Sequence, residues 1–361
     1  MAPDNYEQCI AIMEKALSVG AGLDLGLDFK RDIFNLPTLL GQKYDRSNMI
    51  STGMKGLDEV IGGGWINGTL SLVAGAPGGG KSRAMAAFTA EALKQGKKVV
   101  FITLELDDNE TMANVTSSLT GLNWWDMLSS DPELKAEYIR RAEAASELIK
   151  DANLKTKFYI NKSISSQTII SYLMRLKSQE HFEPDLLVVD YMDLLLPVGG
   201  ENAKFSRNEE SNYDMLGTVC FDLIKVAKMF KIPVLSGTQL GRAAWDLSGK
   251  EVVSMASVSE SAKKAFNAHN LITINRTSAE KDLGKARFYT AKARTGTSNA
   301  VVYSNFDLLS TSLFSIATYD NCSSFCIDLV IVPLSNTPLS ANSFIDTPSS
   351  SYISVNNIMC V

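Results

Sequence analysis

The chain is 361 residues long, 45% hydrophobic and 21% charged, which excludes a disordered or collagen-like polymer and leaves room for one large α/β domain or two modest ones. Its formal net charge of −5 argues against a protein that coats nucleic acid by bulk electrostatics. That charge is uneven: beyond Arg294 there is no Lys or Arg and only Asp307, Asp320, Asp328 and Asp346, so residues 1–294 carry a net charge of −1.

Residues 7–18 (EQCIAIMEKALS) are expected to form a short amphipathic helix, followed by a polar connection to about Met49. The acidic start MAPDNYEQC is unlike an export signal, and no apolar run reaches the ~18–20 residues of a membrane span. From Ser51 onward, strand and helix patterns alternate. TLSLVAG (69–75) is a short apolar strand running into a glycine-rich turn, 79–95 a helix, and KVVFITL (98–104) a second strand. A charged helix is expected over 131–149, a strand at KFYIN (157–161) and a helix over 166–179. LLVVDY (186–191) is nearly continuous in apolar residues, as a central parallel strand covered on both faces should be. After a polar stretch, 198–212, Tyr213, Leu216, Cys220, Leu223, Ala227 and Phe230 recur at helical spacing. Strands at 232–237, 271–275, 286–292 and 299–306 complete the series.

This alternation predicts an α/β fold with a mostly parallel twisted sheet, helices on both faces, and ligands at the carboxyl ends of the strands. From about Ser315 a tail rich in Ser, Asn, Thr and Pro breaks the pattern. Five scattered cysteines make no disulfide framework and fit a reducing cytoplasm. Cys322 and Cys326 form a C-x3-C pair with no His or second Cys pair beside it, so no zinc site is expected.

GAPGGGKS, from Gly75 to Ser82, satisfies the G-x-x-x-x-G-K-[ST] pattern between an expected strand and an expected helix. Gly78, Gly79 and Gly80 let the backbone wrap an anion with several N–H groups turned inward, and the helix N-terminus adds partial positive charge. Lys81 then meets the β- and γ-phosphates of ATP, and the Ser82 hydroxyl meets Mg²⁺. Asp190, at the end of LLVVDY, is the candidate second magnesium carboxylate; Asp193 lies past the strand end and is the weaker one. Glu105, ending the strand FITLEL, which is expected to lie close to the P-loop strand, is the candidate base for hydrolytic water. Gln239, in VLSGTQLGR, is placed to sense the γ-phosphate. Trp124 and Trp125, within GLNWWDML, are read as packing rather than a stacking platform.

Taken in order, STGMKGLDEVIGGGW, SLVAGAPGGGKS, FITLEL, LLVVDYMDLL, PVLSGTQLGRAAWD and YTAKARTGT resemble the motifs of the RecA-like motor domain of DnaB-type replicative helicases, those of phages above all. The resemblance runs from about Ser51 to Phe306. It implies a P-loop ATPase that works as a homohexameric ring, translocates on single-stranded DNA, unwinds the duplex and binds nucleotide between subunits. Glu105 is then the catalytic carboxylate, Gln239 the sensor, and Lys292 and Arg294 of YTAKARTGT the basic pair reaching a neighbour's site. Positions matching the DNA-contacting loops are Lys204 and Arg207, then Arg242 and Lys250. A primase or a helicase loader is the expected further partner. The implied organisation is an N-terminal linker helix and connection over 1–50, the ATPase domain over 51–314 and an atypical tail over 315–361. ISTGMKGLDEVIGGG fits filament-forming recombination ATPases of the RecA/RadA type equally well, and a KaiC-like ATPase without DNA activity is a third reading.

Overall fold

The computed structural model describes residues 26–199, 209–240, 267–307 and 312–319. The helix expected at 7–18, the candidate DNA-contacting residues Lys204, Arg207, Arg242 and Lys250, and the pair Cys322 and Cys326 lie outside the described residues. The strands among the described residues are β1 Leu70–Gly75, β2 Lys98–Thr103, β3 Asn153–Phe158, β4 Leu186–Asp190, β5 Val234–Gln239, β6 Asn270–Asn275, β7 Lys285–Ala293, β8 Val301–Asp307 and β9 Ser312–Tyr319. They form one sheet in the order β3-β2-β4-β5-β1-β6-β7-β8-β9. Its first six members, β3 through β6, are parallel. β7, β8 and β9 then pair antiparallel.

The longer helices are α1 Leu36–Tyr44, α2 Lys55–Ile61, α3 Lys81–Lys94, α4 Asp108–Thr120, α5 Trp124–Leu128, α6 Pro132–Leu148, α7 Ser166–Glu180 and α8 Glu209–Phe230. Central strands alternate between two cores, as period-2 side chains must. Val100 and Ile102 of β2 and Leu187 and Val189 of β4 pack with α7 and α8, through Leu173 and Leu223 among others. Val99, Phe101, Leu186 and Val188 face the opposite way, toward α2 and α3. A parallel sheet covered on both faces is the arrangement the apolar run of LLVVDY requires.

The α3 side is anchored by aromatic rings. Phe88, fully buried, meets Trp65 edge-on at 5.4 Å between centroids and Phe288 at 6.4 Å. Truncating it leaves a cavity that neighbours in two strands and a helix cannot all close. Phe88→Ala is expected to cost about 3–5 kcal/mol, readable as a lowered denaturant midpoint of the full chain. α2 is set by Asp58, which accepts hydrogen bonds from the Thr52 N–H (2.8 Å) and the Ser51 hydroxyl, so that STGMKGLD folds back on its own helix.

Several expectations shift. The strand expected at 157–161 is β3 at Asn153–Phe158; it lies at the sheet edge, only partly buried, so polar Asn153, Lys155 and Lys157 serve in it and the apolar FYI was a misleading marker. The region expected to be a polar connection holds α1 and, before it, the helical turns Phe29–Asp32 and Ile33–Asn35, on which Phe29 and Phe34 are 77% and 85% exposed. β9 runs across residue 315, where the composition changes, and pairs with β8 from Val301↔Tyr319 to Asp307↔Ser312.

Candidate nucleotide-binding site

A cleft of about 370 Å³ opens at the carboxyl end of the parallel strands, lined by Gly78, Gly80, Lys81, Ser82, Arg83, Glu105, Leu106, Glu110, Asn114, Trp124 and Gln239 with Pro77. Six of the expected residues, Gly78, Gly80, Lys81, Ser82, Glu105 and Gln239, therefore meet in one place. Gly80 caps α3 at φ 96°, a left-handed conformation that a side chain would strain. A Cβ on Gly75 would stand 3.2 Å from the Lys81 side chain, so the bare backbone there is what lets the lysine stem pass.

Lys81 is 7% exposed, and its Nζ donates to the carbonyls of Gly75 and Ala76, both at 3.2 Å. Burial pulls its pKa down, while the carboxylates of Asp190, Glu105 and Asp193 push it up. Asp190 is 1% exposed, and its Oδ1 has no hydrogen-bond partner. Burial pushes Asp190 up to about 7, against a hydrogen bond with Ser82 that favours the charged form. An orphaned buried carboxylate oxygen beside a P-loop hydroxyl is a half-built cation site. Its hard oxygens suit Mg²⁺, which takes few protein ligands and keeps phosphate and water for the rest. Among the described residues no group of three or more His, Cys, Asp or Glu side chains could hold a metal.

Glu105 does not end a strand beside β1. β2 stops at Thr103, whose hydroxyl donates to the Leu106 carbonyl (2.8 Å) and accepts from the Leu106 N–H (3.2 Å), making a bend. β4 and β5 also stand between β2 and β1. Glu105 reaches the cleft because all these strands end at the same edge; the Leu104 N–H bonds to the Asp190 carbonyl at 2.8 Å and fixes the bend over Asp190.

Gln239 lies beside Gly75 in the β1–β5 register. Its Nε2 donates to the Tyr191 hydroxyl at 2.9 Å, and its N–H donates to Asp193 at 2.8 Å. The Thr238 hydroxyl donates to both oxygens of Asp193, at 2.9 and 3.1 Å. Asp193 thus ties the end of β5 rather than facing the phosphates. Burial first, then nearby Glu105, Asp193 and Asp190, push the Tyr191 phenol up to about 12, so it stays a hydroxyl. Sequence reasoning missed Tyr191, which offers only adjacency to Asp190 as a signal, and it placed both tryptophans in packing. Trp125 is 66% exposed, while Trp124 lines the cleft.

Lys292 and Arg294 are not brought to this cleft. Arg294 lines a second cleft of about 440 Å³ with Lys43, Lys228 and His269. Its N–H donates to the His269 carbonyl (3.2 Å), and the His269 N–H donates to Leu70 O (2.7 Å), at the amino end of β1. Gly75 stands five residues farther along that strand, roughly 16 Å away at the usual rise. Burial, then Arg294, Lys43 and Lys292, pull His269 down to about 4. An imidazole held neutral while the unfolded chain titrates near 6.5 makes stability fall as pH drops from 6.5 toward 4. His269 is only partly buried, so screening leaves about 1 kcal/mol of this. His269→Gln is expected to lose that part of the decline in Tm between pH 7 and pH 5.

A model of the DnaB-like helicase C terminal domain matches residues 49–309. The DnaB-like replicative helicase of Enterobacteria phage T4 is 24% identical over 267 residues, 74% of this chain and 54% of that protein. The chain thus spans about half the length of the curated relatives it matches. Among solved structures, a DnaB-like replicative helicase studied with its primase interactions aligns with a TM-score of 0.63 and 18% identity, over 84% of this chain and 71% of that one. A separate ATPase domain aligns with a TM-score of 0.66 and 17% identity, over 81% of this chain and all of that one. These likenesses show the fold: a RecA-like sheet flanked by helices. With 49–309 matched to the family's model, the chain belongs to the DnaB-like helicase C-terminal domain family.

Proposed function

We propose that this chain is an ATP-driven replicative DNA helicase that works as a ring of six identical subunits, moving along single-stranded DNA in the cytoplasm. The observation that carries the reading is the polarity of the sheet. Lys81, Ser82 and Asp190 sit at the carboxyl ends of the strands, and Arg294 sits at the amino ends. In this reading one chain holds two half-sites, and a second copy joins them. Supporting this, Phe29, Phe34 and Leu40, ahead of the matched region, are 77, 85 and 48% exposed on helical turns with no buried residue, and Leu27 just before them is 68% exposed. A second copy is the occupant that would cover them.

In this reading Gly75 to Gly80 cradle the ATP phosphates, and Lys81 leaves the Gly75 and Ala76 carbonyls to neutralise them. Ser82 and Asp190 would hold Mg²⁺, which supplies charge neutralisation at the phosphates. Glu105 takes the proton from the attacking water, and Gln239 reads the γ-phosphate. Lys292 and Arg294 arrive from the neighbour, stabilise the transition-state charge and make turnover depend on the subunit contact. The segments carrying Lys204 and Arg207, and Arg242 and Lys250, follow β4 and β5, whose ends form the cleft. Phosphate occupancy and DNA contact would then be coupled through two strand ends. A primase or a loader is the further partner we propose. No helix among the described residues is long and apolar enough to cross a membrane.

The test is ATP hydrolysis by the full chain with and without single-stranded DNA. Stimulation of several-fold is the expected result. A rate indifferent to single-stranded DNA would overturn the DNA-motor reading and leave an ATPase acting on other partners.

A further inference from the structure

The ends of β4 and β5 are fastened to each other by side chains that ATP hydrolysis does not itself require. The Ser236 hydroxyl donates to Val189 O (2.7 Å) and accepts from the Met192 N–H (3.1 Å). Asp193 takes up Thr238 and the Gln239 N–H. The last tie is different in kind. It joins the Gln239 amide, a group with work to do in the cleft, to the Tyr191 hydroxyl at 2.9 Å. Tyr191 is buried, and its ring also lies 5.9 Å from the Lys81 ammonium, within reach of a cation–π attraction. Gly237 makes the approach possible, because a Cβ there would stand 3.0 Å from the Tyr191 Cβ. One tyrosine thus touches both groups that the γ-phosphate would claim.

We infer that Tyr191 is a positioning residue, a latch whose hydroxyl holds the Gln239 amide off the γ-phosphate position until nucleotide and DNA together draw it away. The inference rests on the sensor reading of Gln239 given above. Release of the amide exchanges one neutral hydrogen bond for another to a charged oxygen, which favours release only when phosphate is present. Arg242 follows Gln239 by three residues in the sequence, which makes the segment carrying Arg242 and Lys250 the neighbour through which DNA would act on the amide.

The test is steady-state ATP hydrolysis by full-length Tyr191→Phe, Gln239→Ala and the double variant. Phenylalanine keeps the ring beside Lys81 and removes only the acceptor. Tyr191→Phe is expected to raise basal kcat without DNA by about 2- to 10-fold, the worth of one neutral hydrogen bond, with the KM for ATP and the Tm nearly unchanged. Stimulation by single-stranded DNA shrinks by the same factor. In the Gln239→Ala background the tyrosine substitution has no further effect, which a merely structural role for Tyr191 would not produce. Unchanged basal kcat in Tyr191→Phe, or a full Tyr191→Phe effect in the absence of Gln239, overturns the latch. Failure of the reading beneath it looks different: Gln239→Ala would then match wild type in both basal and stimulated rates. A wild-type rate indifferent to DNA would sink the motor reading, while the cycle on basal kcat still decides the latch.

Discussion

Lys81→Ala is expected to reduce kcat for ATP hydrolysis by on the order of 10³-fold, the cost of removing a preorganised charge from a water-poor phosphate site. The side chain is buried and already directed by the Gly75 and Ala76 carbonyls, so no other group in the cleft can take its place. Arg83, two positions along α3, lines the same cleft but stands beyond the turn proposed to cradle the phosphates. The fold should survive the change. Losing a buried ammonium leaves Asp190 without its cation, but Asp190, already pushed up to about 7, takes a proton and avoids an uncompensated charge. Phosphate release and thermal melting together check this. The expected result is a Tm within a few degrees of wild type and hydrolysis near background. An active Lys81→Ala would remove the P-loop from the mechanism.

Arg294→Ala is expected to be nearly as damaging, by on the order of 10³-fold in kcat, as when an arginine supplied in trans is lost. Nucleotide affinity should change little, because within one chain Arg294 lies at the other end of the sheet from Lys81. Here the decisive measurement is mixing. Lys81→Ala and Arg294→Ala, each inactive alone, should regain activity when co-assembled, with about a quarter of sites pairing an intact Lys81 with a neighbour's intact Arg294 in an equal mixture. A pair acting in cis would show no recovery.

The nucleotide cleft was legible in the sequence because its parts are local. A glycine turn between an apolar strand and a helix, and an aspartate closing an apolar run, carry their chemistry in consecutive residues. Glu105 could be named but not placed, since sheet order decides which strand ends neighbour which, and β4 and β5 intervene between its strand and β1. The tie that Asp193 makes, and the role of Tyr191, were illegible for the same reason. Their hydrogen bonds reach residues more than forty positions away, on a strand whose register no local pattern reports. β3 was displaced because an edge strand tolerates lysines that a central strand does not. The apolar residues before Met49 escaped because helix periodicity is read as a buried face, and here Phe29 and Phe34 are exposed. The net charge of −5 is a coarse guide to partners, since four of the acids lie beyond Arg294 and the proposed ring, lining its channel with a few cations per subunit, would need little bulk charge.

Strand separation is the measurement closest to the central claim: a forked DNA duplex with a 5′ single-stranded tail, incubated with ATP, Mg²⁺ and the full chain, wild type or Lys81→Ala. The account predicts that wild type releases the displaced strand and Lys81→Ala does not. Wild type that hydrolyses ATP yet leaves the fork paired, or Lys81→Ala that separates it as fast as wild type, would contradict it.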